Sequence, residues 1–291
     1  MKLYYFTEAP NYGDALNPWL WPRLLGARLQ EQSPTLFLGI GTILKPGLPQ
    51  AQRYVVLGSG GGYEEFPRPD HRWKFYGVRG PLTAHGLGLD PELALMDGAY
   101  LLRNLKLLPP PVDGPQIGFM PHWQTQLSIP WEKICARSGL RYLDPRWPVE
   151  EVLGQLQGCR GVLAEAMHAA ITADALRIPW LPVRLGRHIL DFKWQDWLAS
   201  ISLSVAPIQL PVVEPRFAAR SGESAFRRIF REAITPLENG LQINALIRRL
   251  GGLGREFEAN PRIGHLSSES VLGTQMERLN RSLERLCAVE N

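Results

Sequence analysis

The segment richest in chemistry is Ala164-Glu165-Ala166-Met167-His168-Ala169-Ala170-Ile171. A strand run at 161–163 feeds a loop, and His168 falls near the start of an Ala-rich helix predicted over 168–176. An imidazole at a strand's carboxyl end is placed for proton transfer. A helix N-terminus disfavours imidazolium, so an acid role needs Glu165 or the charge of a bound phosphate beside it. The ordinary alternative for a lone histidine is a structural one. Gly77-Val78-Arg79-Gly80-Pro81-Leu82-Thr83-Ala84 repeats the geometry earlier in the chain. A strand ends at Val78, Pro81 suits an early helical position, and Arg79 is expected to project into a cleft where anions are favoured. An ion pair is the alternative for Arg79.

Arg184, Arg187, His188 and Lys193 follow another strand and read either as a phosphate subsite or as a solvated turn. The run Gly58-Ser59-Gly60-Gly61-Gly62-Tyr63 also follows a strand. Tyr63 occupies the third glycine position of a dinucleotide fingerprint, so that reading is weak. Gly60, Gly61 and Gly62 remain candidates for close backbone approach to an anion or sugar, with a tight turn as the alternative. His122 follows a strand in Met120-Pro121-His122-Trp123 and joins the candidate list. Asp14, beside Asn11, and Asp97 are candidates for hydrogen bonds to substrate hydroxyls or for loop caps. Several strong signatures are absent: His-Glu-x-x-His, paired Cys-x-x-Cys, a P-loop and a nucleophile elbow.

These residues need elements to position them. Strands are predicted over 2–6, 35–38, 53–57, 75–78 and 93–96, with residues 11–14 as a loop and Asn17-Pro18 opening a helix. Pro109-Pro110-Pro111 reads as a semi-rigid joint between domains. After it, strands are predicted at 116–120, 141–143, 161–163 and 180–183, with helices at 131–138, 148–156 and 168–176. The expected class is α/β. Two Rossmann-like domains, 1–111 and 112–206, would face each other, with a helical tail at 207–291 packing on or across them. In that tail Phe226, Ile229, Phe230, Ala233 and Ile234 make one stripe, and Leu241, Leu246, Ile247 and Leu250 part of another. Leu272, Met276, Leu279, Leu283 and Leu286 make a coiled-coil-like seam. The seam reads first as packing onto the body; a homodimer or membrane-surface contact is the alternative.

Composition removes several classes. With 45% apolar and 21% charged residues, the 291-residue chain is globular rather than disordered. A net charge of +4 does not mark a nucleic-acid binder. Three scattered cysteines suggest neither a disulfide framework nor a metal site. No apolar run approaches a membrane span, and Glu8, Pro10 and Asn11 come too early for a signal-peptide core. A cytoplasmic protein is expected, with peripheral attachment at the inner face of the membrane as a variant of that reading. Of the basic residues 26 are Arg and six Lys, but twelve of the arginines lie from Arg216 onward. The excess therefore says little about a site.

The ordered set Asn11-Tyr12-Gly13-Asp14, the glycine run, Arg79 to Ala84, Met96-Asp97-Gly98-Ala99, His168 with its Ala-rich helix, Ile178-Pro179 and Asp191-Phe192-Lys193-Trp194 resembles the polysaccharide pyruvyltransferase family. The opening residues, with Asp14 to Trp21, look like its succinoglycan-type branch. The resemblance covers roughly residues 1–200. It implies a GT-B-like arrangement, with the acceptor on the first domain and the donor on the second. It also implies transfer of the pyruvyl group of phosphoenolpyruvate to a sugar as a ketal, with phosphate released and no metal or cofactor. The partners implied are phosphoenolpyruvate and a sugar acceptor, free or lipid-linked. The family often carries a basic residue just before the histidine; here Ala166 and Met167 stand there. His168 and Arg79 would be catalytic. Asn11, Asp14, the glycines, His122, Glu165, Arg184, Arg187 and Lys193 would bind substrate. Two rivals remain: a glycosyltransferase using a nucleotide sugar on the same architecture, and a non-catalytic glycan-binding or assembly protein.

Overall fold

The computed structural model describes residues 1–62, 65–114, 116–185, 190–211 and 240–290. The stripe at 226–234, the Leu241 side chain and residues 186–189, Arg187 among them, lie outside the described residues.

Nine described strands form two all-parallel sheets. The first contains β1 (Lys2–Tyr4), β2 (Thr35–Leu38), β3 (Arg53–Leu57) and β4 (Trp73–Gly77) in sequential order. The second contains β5 (Gln116–Met120), β6 (Arg141–Tyr142), β7 (Cys159–Ala164), β8 (Trp180–Arg184) and β9 (Ile208–Gln209), in the order β6-β5-β7-β8-β9. Parallel sheets are buried on both faces, so their strands read as continuous apolar runs. In β3, Val55 and Leu57 enter one core cluster while Tyr54 and Val56 enter another, the period-2 alternation of a strand. Val162 and Ala164 of β7 join the same cluster as Val55, whereas Leu163 does not. A single apolar cluster thus runs through both sheets.

The helix α1 (Tyr12–Leu25) departs from expectation. Asn11 caps it, so residues 12–14 are helical rather than loop, and Pro18 and Pro22 lie inside it. Proline at 18 removes the backbone donor due to the Asp14 carbonyl. The Asn17 side-chain amide takes that carbonyl instead, at 3.2 Å. Asn17 is therefore no N-cap; buried, it also exchanges hydrogen bonds with the Ile40 backbone and accepts from the Trp21 indole. The strand expected at 93–96 is absent: Pro91–Leu93 is a 3-10 turn, followed by one bridge between Val78 and Ala94.

The remaining described helices are α2 (Pro81–Gly86), α3 (Trp123–Gln126), α4 (Trp131–Ser138), α5 (Val149–Gln157), α6 (Met167–Ala175), α7 (Asp191–Ser200), α8 (Gly240–Ala259) and α9 (Glu269–Val289). The proline joint lies against α5, where Gln157 donates to the Pro109 carbonyl at 2.5 Å and Val112 N–H to Gly154 at 2.9 Å. The seam on α9 packs into this chain's own core: Leu272, Leu279 and Leu286 are buried in the cluster shared by both sheets. Each contributes about 1.5–3 kcal/mol by burial. No described helix is long and apolar enough to cross a membrane.

A buried carboxylate ties the three parts together. Asp174 accepts from Tyr100 Oη (2.9 Å), Trp180 Nε1 (3.2 Å), Ser267 N (2.7 Å) and Ser267 Oγ (2.6 Å). These donors come from the first half, the second half and the tail. Tyr12 Oη and Thr172 Oγ1 add a second link at 3.1 Å.

Candidate functional site

The carboxyl ends of both sheets meet at one junction. From the first half, the segment after β1 brings Asn11 and, in the first turn of α1, Asp14, and the segment after the Val78–Ala94 bridge brings Asp97. From the second half, the turn after β7 brings His168 at the second position of α6. Parallel sheets present their ligand-binding loops at this edge.

Asn11 accepts from Gly13 N–H as the helix cap and donates its amide to Asp14 Oδ2 at 2.6 Å, which holds that carboxylate in place. Asp97 is fully buried; its Oδ1 caps the 3-10 helix Gly98–Asn104 by accepting from Ala99 N–H at 2.9 Å. Its Oδ2 lies 3.5 Å from His168 Nε2, and neither atom has a hydrogen-bond partner. The imidazole is 13% exposed. Its other side rests on Gly13, where an added Cβ would fall 2.1 Å from Nδ1. Only glycine leaves room for the ring.

Burial pushes the Asp14 carboxyl up to about 6, against the lowering influence of His168, Asn11 and Lys193. Asp97 adds to the rise through like charge. Lys193, itself buried, acts through its charge on both Asp14 and Glu165. The result is an imidazole facing one carboxylate, Asp97, with a second, Asp14, under the charge of both His168 and Lys193. Such a group has the makeup of a general acid–base site for an anionic substrate.

Glu165 and His122 belong to the support of this site. Glu165 is fully buried, and its Oε2 accepts from His122 N–H at 2.8 Å and Thr125 Oγ1 at 2.5 Å. Its Oε1 accepts from Leu185 N–H at 3.2 Å. One carboxyl group thereby fixes the loops after β5, β7 and β8. Burial pushes it up to about 7 despite those donors and Lys193. His122 is buried at the N-cap of α3, its Nδ1 accepting from Gln124 N–H at 3.4 Å.

Arg79 does not project into the junction. It is fully buried, and its guanidinium donates to Asp196 Oδ2 (3.0 Å), Thr42 Oγ1 (2.8 Å) and the Gly61 carbonyl (3.1 Å). Asp196 also accepts from Thr83 N–H and Thr83 Oγ1. Arg79 clamps α7 to the first half; its fork is spent on protein.

The glycine run is likewise filled by side chains. A Cβ at Gly60 would lie 2.5 Å from the Arg79 guanidinium, at Gly61 2.3 Å from Phe66, and at Gly62 2.3 Å from Phe192. Close packing, not an open backbone cradle, accounts for these glycines. Arg184 pairs with Asp191 at the start of α7, while its Nε is buried without a partner. Among the described residues no group of three or more His, Cys, Asp or Glu is placed to hold a metal ion.

Of the sequence candidates, then, His168, Asn11, Asp14 and Lys193 converge with Asp97. Glu165 and His122 lie behind them, and Arg79 and Gly60–Gly62 serve packing. Asp196 and Thr125 escaped the sequence reading. Their ties to Arg79 and Glu165 span 117 and 40 positions, and no local pattern marks such pairs.

No protein-family model matches the chain. The succinoglycan biosynthesis protein ExoV of Rhizobium meliloti (strain 1021) is 38% identical over 220 residues, which span 73% of this chain and 68% of the relative.

Proposed function

Because the chain belongs to the succinoglycan-type branch of the polysaccharide pyruvyltransferase family, we propose that it moves the pyruvyl group of phosphoenolpyruvate onto a sugar of an exopolysaccharide or its precursor. The product is a cyclic ketal, and phosphate leaves. The observation that carries this reading is His168 at 3.5 Å from Asp97, with the charges of His168 and Lys193 both acting on Asp14. Two all-parallel sheets meeting at their carboxyl ends support a GT-B-like frame, with the acceptor against the first half and the donor against the second.

The reaction requires a proton at the methylene carbon of phosphoenolpyruvate. Protonation leaves an oxocarbenium-like centre, which one sugar hydroxyl attacks; a second hydroxyl then displaces phosphate. His168 delivers the first proton. Lys193 and Arg184, with Arg187 between them in sequence, meet the donor's carboxylate and phosphate. Asn11 and Asp14 hydrogen-bond the acceptor hydroxyls. With Arg79 committed to Asp196, donor binding falls to these second-half groups, which also make up for the missing basic residue before His168.

The test is phosphate release from phosphoenolpyruvate in the presence of an acceptor oligosaccharide. His168→Ala should slow it by roughly 10²–10⁴-fold; near-full activity in that variant removes the acid assignment. A thermal-shift panel separates the rival classes. Phosphoenolpyruvate should raise the melting temperature, whereas stabilisation by UDP or GDP alone would point to a nucleotide-sugar transferase.

A further inference from the structure

Asp97 Oδ2 and His168 Nε2 are both buried, both without a hydrogen-bond partner, and 3.5 Å apart across the junction of the two halves. Buried polar atoms without partners are rare, and two that face each other imply a shared proton. The Asp97 carboxylate cannot turn away, because its Oδ1 is held by Ala99 N–H at 2.9 Å. If Nε2 carried a lone pair, two acceptors would oppose one another in a dry setting. On the other side of the ring, Nδ1 rests against Gly13 in the first turn of the 14-residue helix α1. The positive end of that helix favours a lone pair at Nδ1 over a hydrogen. Both flanks of the ring select the same tautomer.

We propose that Asp97 is a positioning residue that holds His168 with its proton on Nε2, so that Nδ1, the nitrogen beside Gly13, is the one that exchanges protons with substrate. The separation of 3.5 Å exceeds a good N–H···O bond. Such contacts tighten when substrate draws the surrounding elements together. Because Nε2 is buried, the exposed edge of the ring lies away from it.

The role in proton transfer rests on the pyruvyl-transfer reading; the tautomer does not. Under that reading, Nδ1–H of the imidazolium gives its proton to the methylene carbon, whose π electrons form the new C–H bond and leave C2 electron-poor. A hydroxyl oxygen closes on C2 and its proton passes to Nδ1, restoring the imidazolium. The second hydroxyl then displaces phosphate from C2, and its proton leaves with the phosphate. No oxidant or further reactant is needed.

The experiment is a long-range ¹H–¹⁵N correlation spectrum of the full chain labelled at histidine, recorded at alkaline pH, with His168 assigned by its loss in His168→Gln. The chain has six histidines, so assignment is tractable. The expected pattern is a protonated Nε2 and a pyridine-like Nδ1. Asp97→Ser retains a hydroxyl able to cap Ala99 but removes the carboxylate. It should shift His168 towards a mixture of tautomers and lower kcat at least tenfold, with KM for phosphoenolpyruvate changed much less. Asp97→Asn serves as a second variant should the serine chain fold poorly. A proton on Nδ1 in the wild type, or an unchanged tautomer in both variants, overturns the proposal. The expected spectrum without turnover of phosphoenolpyruvate would support the Asp97–His168 pairing and overturn the reaction assigned to it. Turnover with a proton on Nδ1 would do the reverse.

Discussion

Arg79 and Asp196 stand 117 positions apart and meet at 3.0 Å with neither side chain exposed. Every nitrogen of the guanidinium has an acceptor, and both Asp196 oxygens accept from Thr83. A residue expected to handle an anionic substrate therefore joins α7 to the first half of the chain.

Removing one member of this pair leaves a buried charge without compensation. Asp196→Ala should lower stability by about 3–5 kcal/mol, whereas replacing both residues with apolar ones should cost markedly less than the summed single changes. Denaturant unfolding of the two single variants and the double variant measures this. An Asp196→Ala midpoint equal to that of the wild type would show that Arg79 is not held by this carboxylate.

Gly13→Ala separates activity from stability. Alanine is the better helix former by about 1 kcal/mol, which opposes the strain of placing a Cβ 2.1 Å from His168 Nδ1. The ring must move, and a displacement near 1 Å lowers turnover by about 100-fold. Phosphate-release assays paired with melting curves should show a large loss in the first and a small change in the second. Retained activity would mean that His168 can work from another position.

Glu165 gives a pH signature. Burial holds its folded-state pKa at about 7, above the usual carboxyl value of 4.5. Its protonated form thus favours the folded state below 4.5, and that contribution is lost as pH rises towards 7. The difference amounts to about 3 kcal/mol. Asp14 adds a smaller fall between 3.8 and about 6. In urea titrations at a series of pH values, Glu165→Gln should flatten the decline relative to the wild type. Parallel curves for the two proteins would contradict the assignment.

Leu279→Ala tests the tail. Leu279 is fully buried in the core cluster shared by both sheets, so its truncation should destabilise by about 2–5 kcal/mol. Sedimentation mass should not change, since the seam faces its own chain. A drop in mass would restore the dimer reading.

Elements written in local pattern were legible beforehand. β3 over Arg53–Leu57, β5 over Gln116–Met120 and α4 over Trp131–Ser138 appear at the expected bounds. The start of α1 was misread because Pro18 resembles a first helical residue. The helix runs through it because Asn17 satisfies the stranded Asp14 carbonyl, a compensation that shows only in three dimensions. The apolar run at 93–96 has strand composition but gains only one bridge.

At the site, His168, Asp14 and Lys193 stand out in the sequence because each follows a strand run. For Arg79 and the glycine run the sequence leaves ligand and protein partners equally open, because what fills the space around them comes from elsewhere in the chain. A glycine beside a strand looks the same whether a ligand or a side chain approaches it.

Three glycines of the first half receive groups from the second. A Cβ at Gly13 would strike His168, at Gly62 Phe192, and at Gly80 both the carbonyl and the Oδ1 of Asp196. These are sockets, and they make the halves a matched set. A chimera that joined the first half of one relative to the second half of another at the proline joint would inherit sockets without their plugs, or plugs without sockets. Changes at 13, 62 and 80 should therefore spread through a lineage only in step with those at 168, 192 and 196. Exchange of specificity between relatives is then confined to loops that leave these three pairs alone.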